Sequence, residues 1–137
     1  MDGLKALNRQ QFGTYAEAYV QSPDHAWSES LDRLVELADP QPHWEVLDVA
    51  TGGGHTALAL APRVRRVIAT DLAPAMVQAA ARHATERGVT NVTFAVADAE
   101  ALPFPDASFD LVTCRVAPHH FPDVARFVRE AVRVVRP

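Results

Sequence analysis

The 137-residue sequence has few of the features that mark secreted, membrane-spanning or nucleic-acid-binding proteins. Its one cysteine cannot form an internal disulfide, which fits a reducing compartment such as the cytoplasm. No window approaches the roughly 18 apolar residues of a membrane span, and the start lacks the apolar core of a signal peptide. The net charge of -4 offers no basic footprint for nucleic acid. We therefore expect a cytoplasmic, globular domain without membrane or nucleic-acid partners.

Apolar runs alternate with helical patterns along most of the chain. The runs cover residues 46–50, 67–70, 92–97 and 109–114, and the helical patterns cover 55–61, 74–87 and 123–135. Such alternation is typical of parallel strands joined by right-handed helical crossovers. The sequence therefore predicts an α/β fold with a doubly wound, Rossmann-like parallel sheet.

Two helices are predicted before this core. Tyr15 and Tyr19 belong to an aromatic stripe at helical spacing, and an apolar pattern at 31–38 indicates a second helix. A proline pair then interrupts the pattern. We therefore divide the chain into amino-terminal helices at 1–40, which either form a lid over a ligand or pack on the core, and a ligand-binding core at 41–137.

The segment at 46–57 has the pattern of a strand, a glycine loop and the start of a helix. Three consecutive glycines let the backbone approach a ligand closely, and the helix start offers free amide groups. The spacing Gly52-x-Gly54-x-x-Ala57, with Asp71 nineteen residues after Gly52, also matches a loose dinucleotide fingerprint. The spacing alone leaves NAD and S-adenosylmethionine open as ligands.

Asp48 separates these two ligands by charge. It ends the first predicted strand, four residues before Gly52, where a bound ligand would sit. Like charges about 4 Å apart repel by roughly 4 kcal/mol at an effective dielectric constant near 20. An acid there opposes a pyrophosphate and attracts the ammonium and sulfonium of S-adenosylmethionine, so we favour that cofactor. Asp71 could accept hydrogen bonds from ribose hydroxyls in either case.

Four segments together resemble the class I S-adenosylmethionine-dependent methyltransferases, particularly the small-molecule group (methyltransferase type 11) that includes quinone-biosynthesis C-methyltransferases. These segments cover residues 46–54, 69–76, 97–104 and 108–112. The resemblance implies methyl transfer to a small-molecule acceptor and a strand order of 3-2-1-4. It also implies that Pro137 falls before the last three strands of a seven-stranded sheet. The fourth strand would then be an uncovered edge that favours self-association.

The resemblance also implies which residues contact the cofactor. They are Asp48, Ala50, Thr51, Gly52 and Gly54 at the methionine end, Asp71 at the ribose, Leu72, Met76, Asp98 and Ala99 at the adenine, and Arg115 beside the methionyl group through its backbone. Core packing is the alternative for Leu72 and Met76, and a turn or cap is the alternative for Asp98. The family often has glycine at position 50, so a positive φ at Ala50 would cost energy.

His119 and His120 are the candidate catalytic residues. Methyl transfer is an in-line displacement that depends on alignment of donor and acceptor, and a general base helps when the acceptor carries an acidic proton. Both histidines follow the fourth predicted strand, although a structural loop is the alternative. Adjacent histidines do not face the same way, so no metal site is expected. A module that binds the cofactor without methyl transfer is the second functional hypothesis, and an NAD-binding domain is the third.

Four arginines recur on one side of the last predicted helix. They are Arg126, Arg129, Arg133 and Arg136, opposite Phe127, Val128, Ala131 and Val135. An anion-binding stripe is one interpretation. We favour the solvated face of an amphipathic helix.

Overall fold

A computed structural model describes residues 25–115 and 121–137, with side chains described from Glu29 onward. Its elements in chain order are α1 (His25–Ala38), β1 (Glu45–Asp48), α2 (His55–Leu60) with a 3-10 turn at Ala61–Arg63, β2 (Arg66–Asp71), α3 (Pro74–Glu86), β3 (Val92–Val96), β4 (Leu111–Thr113) and α4 (Val124–Val134). The four strands are parallel and lie in the order β3-β2-β1-β4. The predicted α/β fold and strand order are confirmed.

The strand order reverses at β1. This strand lies between β2 and β4, and Asp48 is in register with Ala69 on one side and with Thr113 on the other. The carboxyl ends of these strands therefore meet at one edge of the sheet. Open α/β sheets bind ligands in the crevice outside that edge, at the point where the order reverses.

Two apolar clusters cover the two faces of β1. Val46 packs with Leu60 of α2 in one cluster, whereas the next residue, Leu47, packs with Phe127 of α4 in the other. Successive side chains of a strand point to opposite faces, so the two clusters lie on either side of the sheet. A central parallel strand covered on both faces is held firmly, and its end gives the ligand crevice a fixed wall.

The start of α3 is set by backbone chemistry. Pro74 occupies the first turn, where its missing N–H leaves no donor unsatisfied. Ala73 precedes it with an extended backbone and makes no side-chain cap hydrogen bond. Asp71 accepts a hydrogen bond from the Ala73 N–H group at 3.0 Å. The acid at the end of β2 thus helps to anchor the helix that follows.

The edge beside β4 differs from the sequence prediction. The strand covers only Leu111–Thr113, because Phe109 forms a parallel bridge with Val135 instead. The Phe109 N–H donates to the Val134 oxygen at 3.0 Å, and the Arg136 N–H donates to the Phe109 oxygen at 2.7 Å. The segment after α4 therefore covers the sheet edge at this end. Within the described ranges, no strand pairs with the outer side of β4.

Arg133 is not part of a solvated face. Its guanidinium donates to the backbone oxygens of Leu102 at 2.9 Å and Phe104 at 2.8 Å. It also forms salt bridges with Asp106 at 2.9 Å and Glu130 at 2.8 Å. The predicted solvated face is therefore wrong for Arg133, because its long side chain folds back and ties the loop between β3 and β4 to α4.

Val128 also departs from the predicted pattern, whereas Arg136 is exposed as expected and forms ion pairs. The Arg136 guanidinium lies 2.9 Å from the Asp110 carboxylate and 3.6 Å from that of Glu45. Val128, which was expected on the buried side of α4, is 49% exposed, whereas Phe127 is buried. The helical period identified the helix correctly and misplaced part of its faces.

The predicted aromatic helix that contains Tyr15 and Tyr19 lies outside the described residues. The lid hypothesis, which depends on this helix, therefore stays a prediction. In the part of the chain that the structure covers, no helix combines the length and apolar character needed to cross a bilayer.

Candidate functional site

The loop between β1 and α2 is built on left-handed backbone conformations. Ala50 has a φ of 55°, Gly52 of 57° and Gly54 of 83°. Glycine adopts this region freely, whereas an alanine there costs roughly 1–2 kcal/mol. The structure therefore adopts the costly alternative at Ala50. Such strain persists only where the surrounding structure imposes the loop shape.

Gly54 is required by space as well as by its dihedral angle. A Cβ atom added there would lie 3.3 Å from the Ala80 Cβ and 3.3 Å from Cε1 of Phe94. These contacts bring the end of the loop close to α3 and β3. A side chain at position 54 would require Ala80 or Phe94 to shift by a few tenths of an ångström, in addition to the strain of the positive φ.

Asp71 fastens the glycine loop to the end of β2. Its side chain is buried, and its Oδ2 atom accepts a hydrogen bond from the Gly52 N–H group at 3.0 Å. Burial raises the pKa of the Asp71 carboxyl, while hydrogen bonds from backbone N–H groups, first that of Ala73, act in the opposite direction. Each carboxylate oxygen has two lone pairs. Asp71 can therefore hold the loop and still accept a hydrogen bond from a ligand hydroxyl.

Asp48 lies beneath the loop, with only 1% of its surface exposed. Its Oδ2 atom accepts a hydrogen bond from the Thr51 hydroxyl at 2.6 Å, and its Oδ1 atom accepts one from the Thr113 hydroxyl at 2.7 Å. Burial raises the pKa of Asp48 to about 6, although the two hydroxyls and the charge of Arg115 lower it. The carboxylate thus supports the loop from within. Direct contact with a ligand remains a prediction.

The expected adenine residues fall into two groups by exposure. Met76 is 2% exposed, as the core-packing alternative expects, whereas Leu72 is half-buried. Asp98 is also half-buried and accepts a hydrogen bond from the Glu100 N–H at 2.9 Å, which makes it a turn residue. Ala99 is 8% exposed. The backbone of Ala99 lies in this turn, beyond the end of β3. The adenine contacts of these residues remain predictions.

Arg115 lies two residues after the end of β4, at the end of the described range 25–115. It is half-buried, and its charge lowers the pKa of Asp48. The catalytic candidates His119 and His120 lie outside the described residues, so their roles remain predictions.

Sequence reasoning missed Thr113 as a member of this site. Thr113 lies within the apolar run at 109–114, and the sequence gives no local sign of a partner for its hydroxyl. The predicted strand order was the available signal, because it places the ends of the first and fourth strands side by side.

Comparison with known proteins finds relatives across most of the chain. A family model described as "Methyltransferase domain" matches residues 47–137. An uncharacterized methyltransferase of Bacillus subtilis, YcgJ, is 44% identical over 129 residues, which cover 94% of this chain and 51% of the relative. The demethylmenaquinone methyltransferase of Thermus thermophilus is 42% identical over 107 residues, which cover 77% of this chain and 48% of the relative.

Solved structures share the same architecture. The crystal structure of YcgJ matches with a TM-score of 0.78 and 47% identity, over 80% of this chain and 47% of that one. A SAM-dependent methyltransferase from Aquifex aeolicus matches with a TM-score of 0.71 and 24% identity, over 78% of this chain and 58% of that one. The latter supports the fold alone. The chain spans about half the length of the curated relatives it matches.

Proposed function

Because the chain belongs to the methyltransferase domain family, we propose that it binds S-adenosylmethionine in the crevice between β1 and β4 and transfers the methyl group to a small-molecule acceptor. One observation carries the proposal: two buried acids hold a strained glycine loop at the point where the strand order reverses. This arrangement places two carboxylates at the carboxyl ends of β1 and β2, in hydrogen-bond contact with the glycine loop. It suits a ligand that is cationic at one end and rich in hydroxyl groups at the other.

The charges favour S-adenosylmethionine over NAD. Asp48 is buried below the loop, where a pyrophosphate would meet its negatively charged carboxylate oxygens. The ammonium and sulfonium groups of S-adenosylmethionine would instead be attracted to them. The NAD hypothesis rests only on glycine spacing, so we rank it last.

The remaining predicted contacts follow the path of the bound cofactor. Asp71 would accept the ribose hydroxyls, Leu72 would pack against the adenine, and the backbone of Ala99 would bind its polar edge. Asp98 would support that backbone through its turn. Arg115 would border the methionyl group. Met76 of α3 would act through core packing, because its own side chain is buried.

The reaction needs alignment more than it needs a nucleophile from the protein. The acceptor atom forms a bond to the methyl carbon as the carbon–sulfur bond breaks, and S-adenosylhomocysteine leaves with the electron pair on sulfur. An acceptor that carries a proton must also release it, and His119 or His120 is our proposed base. The name of the Thermus thermophilus relative makes quinones and related phenols the first acceptors to test.

The cofactor proposal is tested by calorimetric titration with S-adenosylmethionine, S-adenosylhomocysteine and NAD. We expect the first two to bind and NAD not to bind. Asp71→Asn should weaken S-adenosylhomocysteine binding by about tenfold or more, because hydrogen bonds to a charged carboxylate are lost. The exposed α1 acid Asp32 supplies the control Asp32→Asn, which should bind as the wild type does.

Three results would contradict parts of this proposal. Binding of NAD alone would overturn the choice of cofactor. An unchanged affinity in Asp71→Asn would remove that residue from the site. Cofactor binding without transfer of a labelled methyl group to phenols, quinones or amines would favour the binding-module hypothesis over the enzyme.

Two predictions about context accompany the proposal. We propose self-association through the outer side of β4, because among the described residues the segment after α4 covers the edge beside the start of β4 and no strand pairs with the outer side of β4 itself. The single cysteine also favours a cytoplasmic location.

A further inference from the structure

A chain of hydrogen bonds connects β4 to the glycine loop. It begins at the Thr113 hydroxyl, passes through both oxygens of Asp48 and reaches the Thr51 hydroxyl, with donor–acceptor distances of 2.7 and 2.6 Å. The Thr51 N–H group donates to the Thr70 oxygen at 2.8 Å, and the Thr51 oxygen accepts from the Gly54 N–H at 2.9 Å. The backbone of Thr51 therefore joins the loop to β2 through Thr70 and to the start of α2 through Gly54.

Burial makes each of these hydrogen bonds hard to replace. Thr51 is 9% exposed and Thr113 is 7% exposed, so solvent has little access to the carboxylate between them. Hydroxyl–carboxylate bonds of this length are charge-assisted, and they are stronger than bonds between neutral groups. If the Thr113 hydroxyl is removed, the Oδ1 atom of Asp48 loses its hydroxyl donor on that side while the group stays buried.

The loss would be transmitted to Thr51 through the carboxylate. An ionised Asp48 can only accept hydrogen bonds, so it fixes the direction of the Thr51 hydroxyl. A protonated Asp48 would itself become a donor and would no longer fix that direction. The contact between Thr113 and Asp48 thus favours the ionised state that holds the loop.

We infer that Thr113 is a positioning residue for cofactor binding, which acts through Asp48 to hold Thr51 and the glycine loop in the shape that receives S-adenosylmethionine. The inference rests on the proposed function. Thr113 itself need not touch the cofactor, because its hydroxyl is already directed at Asp48.

The pH dependence of binding distinguishes this role from simple packing. Burial raises the pKa of Asp48 to about 6, and the hydroxyls of Thr51 and Thr113 lower it. The charge of Arg115 lowers this pKa and that of Asp71 raises it. Without the Thr113 hydroxyl the pKa of Asp48 should rise further. As the pH is lowered, affinity for the cationic cofactor should then begin to fall at a higher pH than in the wild type.

The experiment measures S-adenosylmethionine binding by calorimetry from pH 5.5 to 8.5. Thr113→Val keeps the branched shape and removes the hydroxyl, whereas Thr113→Ser keeps the hydroxyl. Thr93→Val makes the same change at an exposed residue of β3 and serves as the matched control. Thr113→Ala is a second variant without the hydroxyl, for use if the valine variant does not fold.

At pH 7 we expect Thr113→Val to weaken binding by about tenfold, the order expected when a buried carboxylate loses a hydroxyl donor. The pH midpoint of binding should move upward in the valine and alanine variants. Thr113→Ser and Thr93→Val should stay close to the wild type in both affinity and midpoint. This combination of results would support the inference.

The outcomes that overturn the inference are separable from failure of the proposed function. A wild-type chain that binds no S-adenosylmethionine overturns the proposed function, and the inference with it. If the wild type binds, the inference alone fails when Thr113→Val leaves affinity and midpoint unchanged. It also fails when the serine variant loses as much affinity as valine, or when affinity falls with no movement of the midpoint.

Discussion

The glycine loop and the α4 region use carboxylates in opposite electrostatic settings. Asp48 and Asp71 lie at the carboxyl ends of β1 and β2, and burial raises the pKa of both. Asp110 precedes β4 and pairs with Arg136 of the segment after α4, and Glu130 lies in α4. Hydrogen bonds lower the pKa of both, from a backbone N–H group in the first case and from an arginine in the second.

The difference shows where the chain accepts an energetic cost. A carboxyl whose pKa is raised by folding is penalised when it is ionised, whereas one whose pKa is lowered stabilises the fold in its ionised state. Strongly perturbed acids of the first kind concentrate at binding and catalytic sites. The loop acids therefore fit a site prepared for a cationic ligand, and the acids near α4 fit a structural role.

Asp48→Asn is expected to have the largest effect and would test the comparison directly. The pKa of Asp48 rises from 3.8 to about 6 on folding. The protonated carboxyl of Asp48 therefore contributes to the free energy of unfolding, and this contribution is fully present below pH 3.8 and is lost as the pH rises through 6. The asparagine variant avoids that loss, so its free energy of unfolding should exceed the wild-type value by about 3 kcal/mol at pH 8. Urea denaturation at pH 4 and pH 8 measures this, and most of the gain should be lost at the lower pH.

Asp110→Asn is the matched control for that substitution. The lowered pKa of Asp110 means that its contribution is present above the ordinary value and is lost as the pH falls through the folded value. This variant should therefore be less stable than the wild type at pH 8. Shifts of the same sign in both variants would break the comparison between the two regions.

Asp48→Asn should also weaken S-adenosylmethionine binding, since it removes the charge below the loop.

Arg133→Met is expected to have the next largest effect. It removes the guanidinium that holds the backbone oxygens of Leu102 and Phe104 and that pairs with Glu130. We expect the melting temperature to fall by about 4 °C, since partly buried acceptors lose their donor. Arg126→Met, at an exposed position of the same helix, is the control and should change it little. Equal losses in both variants would mean that helix charge, and not the connection to the loop, determines the effect.

The elements with strong local signals were predictable from the sequence. The strand, glycine and helix patterns of β1, α2 and β2 are local, and so is the helical pattern of α3. Fold and strand order followed from these signals and the family resemblance. Boundaries within the core shifted by one or two residues, whereas α1 begins at His25, six residues before the predicted apolar pattern at 31–38.

The interactions that were missed join residues far apart in sequence. Thr113 and Asp48 are separated by 65 residues, and Arg133 and Leu102 by 31. Neither pair leaves a local pattern, because each depends on strand order and on the direction of a side chain. Arginine at helical spacing has the same signature whether it faces solvent or folds back over a loop. Only the assembled fold distinguishes these cases.

Ala50→Gly is expected to have the smallest effect, and it tests whether the strain of the loop is real. The φ of 55° at Ala50 is costly for alanine and accessible to glycine. Relief of strain is partly offset by the greater entropy of glycine in the unfolded chain, so the net gain should be about 0.5–1 kcal/mol. Thermal denaturation measures it, with Ala81→Gly inside α3 as a control that should lose about 1 kcal/mol. A loss at both positions would show that Ala50 contributes contacts worth more than its strain. A gain at Ala50 with unchanged S-adenosylmethionine affinity would show that Asp48, Thr51 and Asp71 are sufficient to impose the shape of the loop.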